Sequence, residues 1–247
     1  MPFVSSRGRT SLRSRPPAAC PPNVNTGGSL SFAGTASSYL SIPNSIDFRF
    51  GTDDFTIEWY QYMTGAQSYP RVFQMGSFSG TPGTTQVTIG VSIESGVNGG
   101  TFFFWTNTPS RTANRIGSVD TVINTWVHFA ITRASGIVRV FKNGTQLGSN
   151  LSYSASFNDS TNAFTIGNEG SPSASAGYSG LITNFHVVKG TALYTAKFCV
   201  PQTPRSAVSG SVLLLNAVAS GTAATADSSG TSKAVTNTGV TWNASRP

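Results

Sequence analysis

Nine acidic residues, two histidines and two cysteines are all that this 247-residue sequence offers for acid–base, metal or thiol chemistry. Glycoside hydrolysis needs two carboxylates flanking one bond, about 5–5.5 Å apart for a retaining mechanism. The stretch TIEWYQYM supplies Glu58 alone, Glu94 has Ser92 and Gly96 at its same-face neighbours, and Glu169 lies in a Gly/Ser/Pro-rich loop. His128 and His186 are the only histidines. No serine occupies a G-x-S-x-G elbow, so no nucleophilic triad is legible, and neither histidine has the neighbouring Cys or His spacing of a zinc ligand. Cys20 and Cys199 are too few for a disulfide framework. They read as two separate thiols, or as one bridge if the chain ends lie side by side. Asp53 and Asp54 in GTDD are hard oxygen donors suited to calcium, which wants roughly six to eight oxygens; an ordinary turn before a strand is the alternative. No cofactor is required by any of these residues.

What remains is chemistry of adhesion. Tyr69, Trp105 and Asn107 combine aromatic faces with an amide in turn-rich segments, the mixture that holds sugars on exposed surfaces. Trp105, inside TFFFWTN, reads equally well as core. Arg7, Arg9, Arg13 and Arg15 precede the first acid, Asp47, and account for four of the seven net positive charges. Spaced arginines can contact nucleic-acid phosphate, but no recognised nucleic-acid module accompanies them. Docking on neighbouring protein subunits is the favoured use of this segment.

The elements that must position these residues follow from period and punctuation. Residues 1–26 mix Arg, Ser and Pro with few large apolar groups and cannot bury enough surface to fold alone, so an extended arm is expected. Its Arg- and Ser-rich, acid-poor composition also mimics an organelle transit peptide. From residue 27 to 247 one domain is expected. Phe55, Ile57 and Trp59 alternate with Thr56, Glu58 and Tyr60; Val127, Phe129 and Ile131 alternate with His128, Ala130 and Thr132; Val87 to Glu94 keeps the same two-residue rhythm. All three are strands, and the alternation puts both histidine-bearing and acid-bearing positions on the face away from the core. Asn143-Gly144 in VRVFKNGTQLGS marks a tight hairpin. Further strands are SLSFAG, YLSIP, RVFQMG, TFFFWTN, FTIGN, LITNFHVV and VLLLNA. Gly at 26, Pro at 13 and 16 Phe fit many short strands around an aromatic core. Residues 219–238, rich in Ser, Thr, Ala and Gly, read as a loop or a loose strand pair. Within ITNFHVVKGTALYTAKFCVPQTP, Ile182, Phe185, Val187 and Val188 form a central strand buried on both faces, Lys189-Gly190 turns the chain, and Leu193, Tyr194 and Phe198 close a sandwich end. No run of about 20 apolar residues would insert in a membrane. The fold class is all-β, a two-sheet antiparallel sandwich with an extended N-terminal arm.

Two stretches, LSFAGTASSYLSIPNSIDFRFGTDDFTIEWYQY and INTWVHFAITRASGIVRVFKNGTQLGS, resemble the opening and central strands of the laminin-G-like, concanavalin A-type lectin/glucanase jelly roll. The segment VVKGTALYT and the tail LLLNAVASGTAATADSSGTSKAVTNTGVTW resemble the version of that domain in structural proteins of marine bacteriophages and large DNA viruses. The resemblance spans about Gly27 to Trp242. The E-x-D-x-E spacing of the glucanases is absent, so the resemblance implies a binding protein and not an enzyme. It implies a virion structural protein, a minor capsid, decoration or tail-fibre component whose arm attaches to other virion subunits or to further copies of itself. The alternative is a carbohydrate-binding module for cell-surface or extracellular glycans. Location is then the virion, or otherwise extracellular.

Overall fold

A computed structural model describes residues 20, 26–65, 68–77, 88–96, 99–106, 112–118, 123–157, 160–170, 172–201 and 204–247. The alternating segments become two facing antiparallel sheets. The eight-stranded sheet runs β10 (Thr145–Ser152), β9 (Ile137–Lys142), β8 (Val127–Ala134), β3 (Phe55–Met63), β12 (Ser179–Lys189), β1 (Ser29–Ala33) and β15 (Thr241–Asn243), with β13 (Ser211–Leu215) also paired to β12. The seven-stranded sheet runs β14 (Thr236–Thr238), β2 (Tyr39–Ile42), β11 (Phe164–Ile166), β4 (Arg71–Met75), β5 (Ile89–Gly96), β6 (Gly99–Thr106) and β7 (Thr112–Ser118). The chain crosses repeatedly between the sheets, while β4 to β7 and β8 to β10 run as meanders within one sheet each, consistent with a jelly roll.

Aromatic side chains from both sheets meet between them. Trp59 is fully buried; its ring stacks with Phe129 at 5.7 Å and Phe185 at 6.1 Å, and meets Phe73 edge-on at 5.8 Å. Its indole N–H donates to Gln61 Oε1 at 2.8 Å, which satisfies the one polar atom this ring brings into the core. Asn143 and Gly144 take φ of 49° and 74°, the positive values a two-residue primed turn demands, and join β9 to β10. A Cβ on Gly144 would lie 2.1 Å from the Phe198 carbonyl oxygen, so glycine also admits the chain that crosses above this turn.

Three features differ from the sequence reading. β7 has one buried apolar residue, Ile116, too faint a rhythm to register; it is held by its ladder to β6 at the sheet edge. Residues 219–238 contain a 3-10 turn, Gly221–Thr225, and β14, so the tail carries part of the seven-stranded sheet. The segment after Gly190 does not close a sandwich end. It lies as a strap over the outer face of the eight-stranded sheet, where Thr56 and Thr132 hydroxyls donate to the Thr191 and Tyr194 carbonyls and Tyr60 donates to the Pro201 carbonyl. Those three outward residues of β3 and β8 are polar, and a polar face binds a backbone segment better than it would pack an apolar lid.

Candidate functional site

Two surfaces gather the polar and aromatic residues that the core excludes. Beneath the strap, the outer face of the eight-stranded sheet places Glu58 of β3 between His128 of β8 and His186 of β12. Glu58 Oε2 lies 3.2 Å from His128 Nε2 and accepts the Tyr194 hydroxyl at 2.9 Å. Its Oε1 lies 3.2 Å from His186 Nδ1 and accepts the Arg205 guanidinium. On the far side of His186, Nε2 is 2.7 Å from Ser211 Oγ, which already accepts the Val208 N–H. A carboxylate only accepts, so His186 donates to Glu58 through Nδ1.

Burial favours the uncharged Glu58 carboxyl, but the hydrogen bonds from His128 and His186 and the Arg205 charge outweigh it and hold the group well below the ordinary glutamate range. Burial, together with the Glu58 charge, pushes the Tyr194 hydroxyl well above the ordinary tyrosine range. The chain Ser211–His186–Glu58 has the order of hydrogen bonds found in a nucleophilic triad, which the sequence reading did not anticipate. Ser211 is 7% exposed and Glu58 1%, and Glu58 is shared among four donors. The arrangement cements the strap to the sheet.

Arg205 reaches Glu58 because β12 is interrupted. The register shifts between Thr183 and His186, where Asn184 adopts φ of 52°; asparagine tolerates this left-handed region better than most residues. Asn184 Oδ1 then accepts the Arg205 N–H at 2.9 Å, and Asn216 brackets the same residue from β13's end. Sequence reasoning placed both histidines on the face opposite the core, as found. It missed Tyr194, Arg205 and Ser211, because nothing in the strand periodicity says which distant segment will cover that face.

Cys20 and Cys199 are joined, with Cα atoms 5.3 Å apart across 179 residues of sequence. The separate-thiol reading is replaced by the single bridge. It ties Cys20 to the strap. Arg7, Arg9, Arg13 and Arg15 lie outside the described residues.

The second surface is the outer face of the seven-stranded sheet. One row of outward residues crosses it strand by strand: Thr236, Ser41, Thr165, Gln74, Gly90 and Trp105. All are uncharged, and the row runs on past Trp105 to Ala113 of β7; Gln74 and Thr165 within it are buried, whereas Thr236 and Ala113 at its ends are exposed. Beside it runs Arg71, Ser92, Phe103 and Arg115. Trp105 is half-buried; its Nε1 donates to Ser92 Oγ at 2.9 Å, and the Arg71 guanidinium sits 5.4 Å from its ring centroid. Its inward neighbours Phe102 and Phe104 are fully buried, so Trp105 belongs to the surface and not to the core. Tyr69, two residues before Arg71, is 52% exposed. Asn107 lies outside the described residues.

Asp53 and Asp54 do not converge on one point. Asp54 Oδ1 accepts the Ser135 N–H at 2.8 Å, pinning the β8–β9 turn, while Asp53 faces the Lys189 ammonium at 3.8 Å. A cation already stands where a calcium ligand set would need further oxygens, and no cluster of three His, Cys, Asp or Glu residues that could hold a metal ion occurs among the described residues. Glu169, on the loop after β11, accepts a hydrogen bond from Ser173 and belongs to the other sheet from Glu58. No helix among the described residues is long and apolar enough to cross a membrane.

Residues 33–194 match the family model of the concanavalin A-like lectin/glucanases superfamily, laminin G type. Among solved structures, a Bacteroides ovatus protein described as a candidate carbohydrate binder superposes with a TM-score of 0.62 over 90% of this chain at 13% identity, and this chain spans 61% of its length. The heptameric SAP-like pentraxin of Limulus polyphemus gives 0.60 over 89% of this chain and 96% of the pentraxin at 16% identity. The extracellular region of zebrafish Gpr126/Adgrg6 gives 0.54 over 79% of this chain and 25% of that one, also at 16% identity. No curated protein matches the sequence. At such identities these likenesses carry the fold alone, and none of the three is a virion protein.

Proposed function

The chain belongs to the concanavalin A-like lectin/glucanases superfamily, and from that premise we propose that it is a carbohydrate-binding module acting by adhesion, without catalysis. The observation that carries this reading is Trp105, half-buried on the outer face of the seven-stranded sheet with its indole N–H tethered to Ser92. A fixed aromatic plane stacks on the apolar face of a sugar ring. The likeness to the Bacteroides ovatus structure agrees with this class of ligand. The Cys20–Cys199 bridge favours an oxidising location, an extracellular or particle surface, since such bridges persist poorly in a reducing cytosol.

Single sites of this kind are weak, so the test uses a multivalent form. A streptavidin-clustered chain on a glycan array is expected to bind a defined set of glycans, and Trp105→Ala is expected to lower that binding at least tenfold. Because Trp105 stands off the core, the variant should melt within a few degrees of the parent. Equal binding by the variant, or no binding by the clustered chain, overturns the assignment of this face.

A further inference from the structure

The tail builds a groove that neither surface uses. Where β15 forms the outer edge of one sheet and β14 the outer edge of the other, the turn Gly221–Thr225 closes a third side around a cavity of about 630 Å³. Trp242 forms one wall, Leu30 part of the floor, and Thr222, Thr225, Asn237 and Thr241 the polar lining. Among the described residues, none that lines it is charged. The whole lining lies outside residues 33–194, so the groove is an addition to the span that the family model covers.

Its walls are held in place independently of any ligand. Trp242 Nε1 donates to the Ala217 carbonyl at 3.1 Å, and a Cβ on Gly28 would come within 2.7 Å of the indole, so the ring rests directly on backbone that only glycine supplies. Asn237 clasps Val240 in both directions, Nδ2 to its carbonyl at 2.8 Å and Oδ1 from its N–H at 2.9 Å. A primary amide has two N–H groups and an oxygen with two lone pairs, so Asn237 keeps one donor and one acceptor beyond that clasp. Asp227 braces the approach: its carboxylate accepts the N–H groups of Leu214, Ser229 and Lys233.

We infer that this groove is a second carbohydrate site, selective for neutral sugars. An acyl chain of matching size would bury the threonine hydroxyls and the Asn237 amide without partners, at the cost of unmade hydrogen bonds. A charged ligand would find no counter-charge in the lining. A neutral pyranose presents an apolar face to the indole and hydroxyls to the rim, and a cavity of this volume holds one to three sugar rings. Two sites at different places on one module would raise the avidity for a chain presenting repeated units. The inference rests on the carbohydrate-binding reading but not on the Trp105 face.

The test is a titration of the isotopically labelled full chain with cellotriose, maltotriose, laminaritriose and mannotriose, following indole and backbone amide signals by NMR. At least one trisaccharide is expected to move the Trp242 indole and the Thr222 and Asn237 amides saturably. Trp242→Ala should weaken that binding at least tenfold while Trp105→Ala leaves it within twofold. If Trp242→Ala fails to fold, Thr222→Val and Thr241→Val serve in its place, with the parent's shifts as the primary readout. Movement confined to Trp105 overturns the groove and leaves the first site standing; movement at Trp242 alone supports the groove and removes the first site. No shift at Trp242 with any of the four sugars, or a shift there with decanoate only, overturns the inference.

Discussion

Glu58→Ala is expected to lower the free energy of unfolding at neutral pH by about 3–5 kcal/mol, the range for removing one partner from a buried charged network. The carboxylate is almost fully buried and accepts from His128, His186, Tyr194 and Arg205 at once. Its loss leaves a guanidinium that is mostly covered, two buried imidazoles and a partly buried hydroxyl without their acceptor. Glu58→Gln keeps the shape but sets an NH₂ against those donors, and should cost nearly as much. Replacing Glu58 and Arg205 together by Gln and Met should cost less than the sum of the single changes, because no uncompensated charge remains. The pH dependence gives an independent check. The folded carboxyl is held below its unfolded value, so its contribution is complete above the ordinary glutamate range and is lost as pH falls toward the folded value. The stability gap between parent and Glu58→Gln, from urea unfolding, should therefore be widest near neutrality and shrink as pH drops from about 5 to 2. A gap that is absent at pH 7, or that widens in acid, would show that the network does not hold the strap.

The features legible in the sequence are those set by local pattern. Alternation of Phe55, Ile57 and Trp59 with Thr56, Glu58 and Tyr60 fixed both the existence of β3 and the outward side of Glu58, because side chains in a strand change face at every step. Asn143-Gly144 announced its turn through the positive φ that few other residue pairs accept. Trp105 was ambiguous, since TFFFWTN is apolar at every aromatic position; only the pairing of Phe102 and Phe104 with the core sends Trp105 outward. Three things depended on contacts remote in sequence and had no local signal. Arg205 meets Glu58 across 147 residues, the bridge joins positions 179 apart, and Trp242 meets Gly28 only when the last strand pairs with the first. The virion role expected from the tail's resemblance is not shown by the solved relatives, whose likeness carries the fold alone.

Converting Cys20 and Cys199 to serine together is expected to cost about 2–4 kcal/mol, less than the roughly 5 kcal/mol that loop-closure entropy alone assigns to a ring of this length. In the unfolded chain the bridge closes a loop spanning 179 residues, which removes much of that state's freedom. In the folded chain most of the same loop is already closed by β1 pairing with β12, so losing the bridge also frees Cys20 and part of the cost is recovered. The strap should feel the change more than the sandwich does. Leu193 and Phe198 donate their N–H groups to Thr56 Oγ1 and the Gly144 carbonyl, and Phe198 also packs edge-on against Phe141 and His128. Amide exchange at Leu193 and Phe198 is expected to accelerate at least tenfold in the double-serine variant, while Ile57 and Ile131 in the central strands slow or quicken only with global stability. If the two groups of amides accelerate equally, the bridge acts on the unfolded chain alone and the strap is held entirely by Glu58 and its partners. If only the strap accelerates, covalent and electrostatic anchors share the work of keeping that face of the sheet covered, and binding is left to the opposite sheet and the tail.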